Sequence, residues 1–248
     1  MEKVAIVTGA GSGIGRLVAL GFLAHGYRVA LAGRSSDTLM ETSRKAPHHD
    51  RALVIPTDVT DPVAVERLFD QTAEALGRVD LLFNNAGAFT ASSPIDEVSA
   101  EDWRRLIDVN LSGAFYCAQA AFRHMKKQNP AGGRIINNGS ISAQVPRPNA
   151  VAYTASKHAI TGLTKAIALE GRPFDIACGQ IDIGNAATSM TAGMATGMLQ
   201  PDGTTRAEPT MNASNVVDAV LFMAGLPLEA NVPFLTVTAT SMPFIGRG

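Results

Sequence analysis

Charged residues are scarce in this sequence. Only 17% of the 248 residues are Asp, Glu, Lys or Arg, and the formal net charge is −1, whereas charged residues make up about a quarter of an average soluble domain. A chain this close to neutral has no long-range field that would attract nucleic acid or an anionic membrane surface. Hydrophobic residues make up 46% of the chain, which predicts a compact globular protein with an apolar surface or additional buried interfaces.

Cysteine and long hydrophobic runs are also nearly absent. The only two cysteines, Cys117 and Cys178, lie in apolar stretches, which indicates buried reduced thiols rather than a disulfide framework. The pair His48–His49 lies in a polar loop, and we predict no metal site. No apolar run approaches the ~18 residues that a membrane helix needs, and no signal peptide is recognisable. We therefore expect a cytoplasmic protein that binds no membrane.

Short β-rich segments alternate with longer helical patterns. We predict strands at 3–8, 28–32, 52–56, 79–84, 134–138, 176–181 and 232–237, and helices at 13–25, 36–45, 61–76, 100–127, 150–169 and 214–224. This alternation predicts an α/β fold with a doubly wound parallel sheet of the Rossmann type, in three α/β/α layers. No linker or internal repeat divides the chain, so we predict one domain over 1–248. A Gly-, Thr- and Met-rich segment at about 189–209 resembles a mobile substrate lid.

A glycine-rich turn follows the first predicted strand. It has the pattern G-x-x-x-G-x-G at Gly9, Gly13 and Gly15, with Ser12 directly before Gly13 and Ile14 between Gly13 and Gly15. Glycines permit a tight turn and let backbone N–H groups approach a pyrophosphate at a helix N-terminus. No Gly-Lys-Ser/Thr follows, which excludes a Walker loop. Because the turn joins the first strand to the first helix, we favour dinucleotide binding over an ordinary glycine turn.

The second predicted strand ends next to a cation. A site for NAD usually places Asp or Glu there to bind the ribose 2′-hydroxyl, whereas here Ala32 is followed by Gly33, Arg34 and Ser35. A guanidinium can bind a 2′-phosphate with two hydrogen bonds, and a serine hydroxyl can add a third. We therefore predict that NADP(H) is preferred and NAD(H) is possible. The alternative is that Arg34 is a solvated loop residue.

Tyr153 and Lys157 lie four residues apart in a predicted helix, and Ser140 lies thirteen residues before Tyr153. Side chains at i and i+4 share one helix face. The ammonium is expected to lower the pKa of the phenol from ~10, so that the tyrosine can exchange a proton with a substrate. The serine hydroxyl could polarise the same substrate oxygen. Alone this spacing is weak, because exposed Tyr/Lys pairs are common.

Taken together, the motifs resemble those of the single-domain short-chain dehydrogenase/reductase family over essentially the whole chain. The matching segments, in order, are Thr8–Gly15, Asp58–Val59, Asn84–Gly87, Asn110, Ser140, and Tyr153 with Lys157. The resemblance implies a NAD(P)(H)-dependent oxidoreductase that interconverts a carbonyl and a secondary alcohol by hydride transfer. It also implies that one domain both binds the dinucleotide and carries the catalytic residues.

The resemblance implies cofactor contacts outside the glycine turn. Asp58 would bind the adenine amino group, with Val59 beside the ring. Asn85, Ala86 and Gly87 would pass under the adenosine ribose.

The catalytic set that the resemblance implies is Asn110, Ser140, Tyr153 and Lys157. Ser140 would polarise the carbonyl, and Tyr153 would donate or accept the proton. Lys157 would activate the tyrosine and bind the nicotinamide ribose. Asn110 would hold a water that continues the proton relay from the lysine.

The sequence departs from the family in the loop after the sixth strand. The family commonly has Pro-Gly there, whereas this chain has Ile183–Gly184. Gly184 and Thr188 keep the usual spacing, so the resemblance still implies carboxamide contacts through Ile183, Ala186 and Thr188. The two residues before the catalytic serine, 138–139, are also less typical.

Two predicted helices, 106–121 and 150–169, are short of charges for exposed elements. A helix that is apolar nearly all round is usually buried, so we predict a homo-oligomer, and the resemblance implies a tetramer. Two other classes remain open: a non-catalytic dinucleotide sensor, which need not retain a proton donor, and an epimerase or dehydratase on the same scaffold.

The substrate is not identified by the sequence. Met190, Met194 and Met198 of the predicted lid either line an apolar pocket or pack in a core. Arg147 is expected to be a solvated loop residue rather than a contact to an acidic substrate.

Overall fold

The computed structural model describes residues 2–89, 92–188, 191, 193 and 197–245. Its main sheet has seven strands: β1 (Val4–Thr8), β2 (Arg28–Gly33), β3 (Ala52–Pro56), β4 (Leu81–Asn84), β5 (Gly133–Asn138), β6 (Ile176–Ile183) and β7 (Phe234–Val237). All are parallel, in the spatial order β7-β6-β5-β4-β1-β2-β3. The predicted doubly wound parallel sheet is confirmed.

The helices cover both faces of this sheet. They are α1 (Gly13–Ala24), α2 (Ser36–Lys45), α3 (Pro62–Leu76), α4 (Ala100–Ile107), α5 (Gly113–Lys127), α6 (Val151–Gly171) and α7 (Ser214–Gly225). Neighbouring residues of a strand point to opposite faces. Val7 accordingly packs in a core cluster with residues of α1 and α7, and Ile6 packs in a second cluster with residues of α3 and α5. The sheet is therefore the middle of three layers, as predicted.

Several helix ends follow from local chemistry that the sequence displays. The Asp61 carboxylate accepts the Val63 N–H at 2.9 Å, Pro62 occupies the first turn of α3, and Gly77 ends α3 with φ +91°. The Ser99 hydroxyl accepts the Asp102 N–H at 3.0 Å at the start of α4. These boundaries agree with the prediction because capping depends on residues close in sequence.

The predicted continuous helix over 100–127 is wrong at one place. A π-helical turn at Asp108–Ser112 separates α4 from α5, and the Gly113 N–H donates to the Asp108 carbonyl five residues earlier. Single π turns inside helices occur often at functional sites. Here the turn carries Asn110.

The predicted lid forms short strands where the structure describes it. Met198–Leu199 pairs antiparallel with Thr205–Arg206, and Met211–Asn212 pairs with Ala186–Ala187 beyond the end of β6. Met190 and Met194 lie outside the described residues, and Met198 is half-buried. No helix in the described ranges is both long and apolar enough to cross a membrane.

The strands deliver the predicted site to one edge of the sheet. All strands are parallel, so their carboxyl ends meet there, and ligands of such sheets bind beyond that edge. The segments that follow β1 to β6 carry the glycine turn and most of the other predicted site residues, while Asn110 lies in the π turn and Tyr153 and Lys157 lie in α6.

Candidate active site

The glycine turn after β1 is closely packed against the end of β4. Gly9 and Gly13 adopt φ values of +69° and +51°, which favour glycine. A Cβ on Gly15 would lie 2.2 Å from the Gly9 carbonyl oxygen and 2.5 Å from Asn85 Nδ2. Glycine at positions 9 and 15 is therefore required by the turn itself.

The N-terminus of α1 fits an anion. Within the described residues, no side chain caps this helix end: Ser12 is extended at the N-cap position and makes no side-chain cap bond, and no acidic residue lies in the first turn. A Cβ on Gly13 would point into open space, while Ile14 packs against the core beneath. Free backbone N–H groups at the positive end of a helix bind phosphate groups well. This end of the molecule therefore suits the pyrophosphate of a dinucleotide.

Asn85 ties the ends of three strands together. Its backbone N–H donates to Thr8 Oγ1 at 2.9 Å, its Nδ2 donates to the Thr8 carbonyl at 2.9 Å, and its Oδ1 accepts from Asn138 Nδ2 at 2.9 Å. The Ala86 N–H also donates to Thr8 Oγ1, at 2.9 Å. Gly87 follows, and a Cβ placed on it would lie 3.5 Å from Asn110 Oδ1. The predicted ribose-binding segment is thus rigidly placed beside the glycine turn.

Asp58, Val59 and Arg34 lie at the next part of the same edge. Asp58 Oδ1 accepts hydrogen bonds from Thr60 N at 3.0 Å and Thr60 Oγ1 at 2.8 Å. The backbone hydrogen bond from Thr60 lowers the pKa of Asp58, and the charge of Arg34 adds to this effect. Val59 is buried against Gly113. Arg34 is exposed and lines a cleft that Asp58 and Arg104 also line.

Ser35 caps a helix, in addition to its predicted contact with the 2′-phosphate. Its hydroxyl accepts the Thr38 N–H at 3.4 Å and caps α2. A hydroxyl that accepts one hydrogen bond still has a proton to donate, so the cap is compatible with a contact to a phosphate.

Ser140 and Tyr153 converge at the end of β5. Ser140 is buried, and its Oγ accepts the Ser142 N–H at 3.1 Å. Ser140 lies close enough to the Tyr153 hydroxyl to lower the pKa of Tyr153. The ring of Phe89 stacks on the ring of Tyr153, with centroids 4.1 Å apart and an interplanar angle of 21°. Phe89, which the sequence analysis missed, forms an aromatic wall beside the predicted proton donor.

The predicted lowering of the Tyr153 pKa is wrong for this structure. The ring is only half-buried, but the hydroxyl is closely surrounded by protein, and this burial raises the pKa of Tyr153 to about 12. The Ser140 hydrogen bond and the charge of Arg147 lower the pKa, Asp182 raises it, and the burial effect prevails. The physical reason is that a phenolate removed from water loses its hydration.

Lys157 is buried beside this pair. Its Nζ donates to the Asn138 carbonyl at 2.7 Å and lies 5.6 Å from the centroid of the Tyr153 ring. Burial lowers the pKa of Lys157 to about 8, while Asp182 opposes the effect. The lysine is therefore charged at neutral pH and sits where the sequence placed it, one helical turn from the tyrosine.

Asn110 is held by the loop after β4. Its Oδ1 accepts the Ala88 N–H at 2.7 Å, its Nδ2 donates to the Ala88 carbonyl at 3.0 Å, and Nδ2 also lies 3.4 Å from Ser156 Oγ. The side chain thus fixes the backbone of Ala88, the residue before Phe89, whose ring stacks on Tyr153. Both amide hydrogens of Asn110 are used in these contacts, so a water in the predicted relay would bind to one of its oxygen atoms, the side-chain Oδ1 or the backbone carbonyl.

The loop after β6 keeps its predicted residues at the same edge. Ile183 is the last residue of β6, and the Gly184 N–H donates to the Val237 carbonyl at 2.8 Å. Ala186 is buried, and the Thr188 N–H donates to Thr191 Oγ1 at 2.9 Å. The loop is ordered by its own hydrogen bonds in place of the missing proline.

The prediction that Arg147 is a solvated loop residue is wrong. Its side chain is 11% exposed and forms a bidentate ion pair with buried Glu208, at 2.9 and 2.7 Å. Asn185 Nδ2 donates to the same carboxylate at 2.8 Å. Sequence reasoning missed Glu208 because 61 residues separate the two charges.

Comparison with known proteins agrees with this site. The sequence model of the family described as short chain dehydrogenase matches residues 3–198. The chain is 36% identical over 192 residues to the meso-2,3-butanediol dehydrogenase of Serratia marcescens, which covers 77% of this chain and 74% of that protein. A parallel sheet with a glycine turn at its carboxyl edge and neighbouring Ser, Tyr and Lys side chains is typical of a dinucleotide-dependent oxidoreductase, and the chain belongs to the short-chain dehydrogenase/reductase family.

Two solved structures share the fold over nearly the whole chain. The acetoin dehydrogenase YohF from Salmonella typhimurium is 35% identical, with a TM-score of 0.81 and coverage of 96% of this chain and 94% of that chain. The 3-ketoacyl-(acyl-carrier-protein) reductase from Brucella melitensis, solved as a complex with NADH, is 25% identical, with a TM-score of 0.85 and coverage of 96% and 98%. The chain is an oxidoreductase that acts on CH–OH and C=O groups with a nicotinamide dinucleotide.

Proposed function

We propose that the chain reduces a small ketone to a secondary alcohol with NADPH as the preferred cofactor, and that the reaction is reversible. The observation that carries the proposal is the convergence of the Ser140 and Tyr153 hydroxyls, with Lys157 Nζ 5.6 Å from the tyrosine ring. Two hydroxyl donors directed at one substrate oxygen stabilise the negative charge that forms on it. The bound dinucleotide supplies the hydride.

Tyr153 is the proposed proton donor. With a pKa raised to about 12 by burial, the phenol is protonated at neutral pH, which is the state that reduction requires. Alcohol oxidation requires the phenolate, so its rate should rise with pH through the alkaline range. Lys157 and the backbone of the π turn at Asn110 are proposed to return the proton to Tyr153 from solvent.

The cofactor contacts are proposed for the residues along the sheet edge. The glycine turn at Gly9–Gly15 would hold the pyrophosphate, and Asp58 with Val59 would hold the adenine. Arg34 and Ser35 would hold the 2′-phosphate of NADP(H). The ribose would contact Asn85, Ala86 and Gly87, and the nicotinamide would contact Tyr153, Lys157, Ile183, Gly184, Ala186 and Thr188.

The names of two relatives suggest the substrate class. Acetoin and 2,3-butanediol, after which those proteins are named, are small molecules with two neighbouring oxygens. Phe89 forms one wall beside Tyr153, and the Arg147–Glu208 pair holds the segment over 198–209 next to the loop that follows β5. We propose that a small, neutral, vicinal hydroxyketone or diketone enters between them.

A homo-oligomer is proposed from apolar residues left exposed on the outer helices. Trp103 on α4, Phe115 on α5 and Leu169 on α6 are 40%, 42% and 61% exposed. Exposed apolar groups of this size on neighbouring helices are typical of a protein–protein interface. Sedimentation velocity should show a tetramer, and a monomer at micromolar concentration would contradict the proposal.

The decisive experiment removes one hydroxyl. Tyr153→Phe should lower kcat for reduction of diacetyl or acetoin with NADPH by a factor of about 10³, because the proton donor is lost while the ring still packs on Phe89. NADPH binding, followed by fluorescence, should stay within twofold. The matched control is Tyr116→Phe on α5, which should leave turnover unchanged. Full activity in Tyr153→Phe, or no turnover of any carbonyl by the unmodified protein, would overturn the proposal.

A further inference from the structure

Asp182 is a buried carboxylate next to the proposed catalytic residues. It lies in β6, in the otherwise apolar run Ile181–Ile183, and its side chain is 1% exposed. A buried ionised carboxylate is strongly unfavourable unless it is hydrogen-bonded or paired with an opposite charge. The partners of the Asp182 carboxylate therefore indicate what this buried charge does.

The hydrogen bonds of Asp182 connect it to the catalytic serine. Oδ1 accepts the Ser140 backbone N–H at 3.0 Å and Gln180 Nε2 at 2.7 Å, and Oδ2 accepts Gln144 Nε2 at 3.0 Å. The backbone of Ser140 is thus attached directly to β6 through the Asp182 carboxylate.

The carboxylate occupies space that only a glycine leaves free. A Cβ on Gly139, the residue before Ser140, would lie 2.1 Å from Asp182 Oδ1 and 2.7 Å from Gln180 Nε2. Any other residue at position 139 would force the carboxylate away from the Ser140 N–H. Gly139, directly before the proposed catalytic serine, and Asp182 in β6 therefore depend on each other: the glycine leaves the space that the carboxylate fills.

Asp182 also balances the charge of the site. Lys157 is buried, and its direct partner is the uncharged Asn138 carbonyl. The charged groups that act on Tyr153 and Lys157 from neighbouring elements are Asp182 on β6 and Arg147, which is paired with Glu208. Arg147 has its own counter-ion, and the negative charge of Asp182 raises the pKa of both Tyr153 and Lys157.

We propose that Asp182 is a positioning residue for this reaction: its carboxylate, for which Gly139 leaves space, fixes the Ser140 backbone and places a buried negative charge next to the proposed catalytic serine. The proposal rests on the proposed function. It adds that the proton-transfer properties of Tyr153 are set from β6 as well as from its own helix.

The test is Asp182→Asn, which keeps the size of the side chain and removes its charge. The amide oxygen can still accept the Ser140 N–H, and exposed Gln144 can turn its own amide to accept from the new NH₂ group. Asp182 raises the pKa of both Tyr153 and Lys157, so its loss should lower both values. The rising limb of the pH profile for alcohol oxidation should move about one unit toward acid, while NADPH affinity stays within twofold.

A merely structural role gives a different result. It would lower the melting temperature of Asp182→Asn without moving the pH profile. Gln144→Ala removes one hydrogen bond from the same carboxylate but keeps its charge, so it should leave the profile in place. A folded Asp182→Asn protein with an unmoved profile and wild-type kcat would overturn the proposal.

Gly139→Ala provides a second, independent variant if Asp182→Asn does not fold. It keeps every charge and pushes the carboxylate from the Ser140 N–H, so kcat should fall by a factor of about 10 to 100 with NADPH affinity retained. Wild-type kcat in Gly139→Ala would equally overturn the proposal. A wild-type protein without carbonyl reductase activity would instead contradict the proposed function, so the two failures are distinguishable.

Discussion

Arg147 and Glu208 form a buried bidentate ion pair that joins the loop after β5 to the segment before α7. The two hydrogen bonds measure 2.9 and 2.7 Å, and the side chains are 11% and 2% exposed. Gln200 Nε2 donates to the same carboxylate at 3.1 Å. The pair therefore fixes the described part of the predicted lid against the loop that follows β5.

Removing one partner should be strongly destabilising. Arg147→Gln leaves Glu208 buried without its cation, and breaking a buried pair in this way costs about 3 kcal/mol. The free energy of unfolding, measured by urea denaturation at pH 7, should fall by that amount. The control is Arg206→Gln, because Arg206 pairs with Asp202 on the surface with both side chains more than half exposed. That variant should lose less than about 1 kcal/mol, and equal losses in the two variants would contradict the assignment.

The same ion pair should make stability depend on acid. Burial by itself raises the pKa of Glu208, but hydrogen bonds from Arg147, Asn185 and Gln200 overcome this and lower it from 4.5 to about 2. A carboxyl group whose pKa is lower in the folded state stabilises the protein above its unfolded pKa and loses that effect as pH falls. The stability difference between wild type and Glu208→Gln should be full above pH 4.5 and shrink toward pH 2. A difference that stays constant over this window would refute the shift.

The fold could be predicted from patterns of residues that lie close together in the sequence. Helix α3 spans Pro62–Leu76, close to the predicted 61–76, because a helix cap is decided by residues a few positions apart. The alternation of strands and helices was enough for the parallel sheet. The π turn around Asn110 was not predictable, because the apolar pattern continues through it and the contact that accompanies it, with Ala88, lies 22 residues away.

The site was predictable as a set of residues but not as an electrostatic environment. The spacing of Ser140, Tyr153 and Lys157 identified groups that the fold does bring together. The pKa of Tyr153 was assigned the wrong direction because burial is a tertiary property. Arg147 and Asp182 were misjudged or missed for the same reason, since their partners are 61 and 42 residues away.

A steric substitution in the glycine turn should weaken NADPH binding. Gly15→Ala would place a methyl group 2.2 Å from the Gly9 carbonyl oxygen, and backbone cannot move away as an exposed side chain can. Overpacking of this kind typically costs 1–3 kcal/mol, here at the proposed pyrophosphate site. The dissociation constant for NADPH, measured by calorimetry, should rise by a factor of about 10 or more.

Gly162→Ala is the matched control for that substitution. Gly162 lies in α6, is exposed, and a Cβ there would meet nothing within 4 Å. Alanine is the better helix former, so the variant should be more stable by about 0.5–1 kcal/mol and should bind NADPH as the wild type does. Unchanged NADPH binding in Gly15→Ala would show that the turn does not hold the phosphates.

Arg34 decides the proposed cofactor preference. It is exposed, lies directly after β2, and faces the cleft shared with Asp58. Arg34→Asp would replace a cation that can bind a 2′-phosphate by a carboxylate that repels it and can accept from a ribose 2′-hydroxyl. The ratio of kcat/KM for NADPH over NADH should fall by a factor of about 100, corresponding to the 2–3 kcal/mol of a charge-assisted hydrogen bond.

Arg104→Ala, which removes a cation across the same cleft, should change that ratio by less than threefold. Equal loss with both cofactors in Arg34→Asp would mean that Arg34 supports the fold of the turn and does not read the 2′-position.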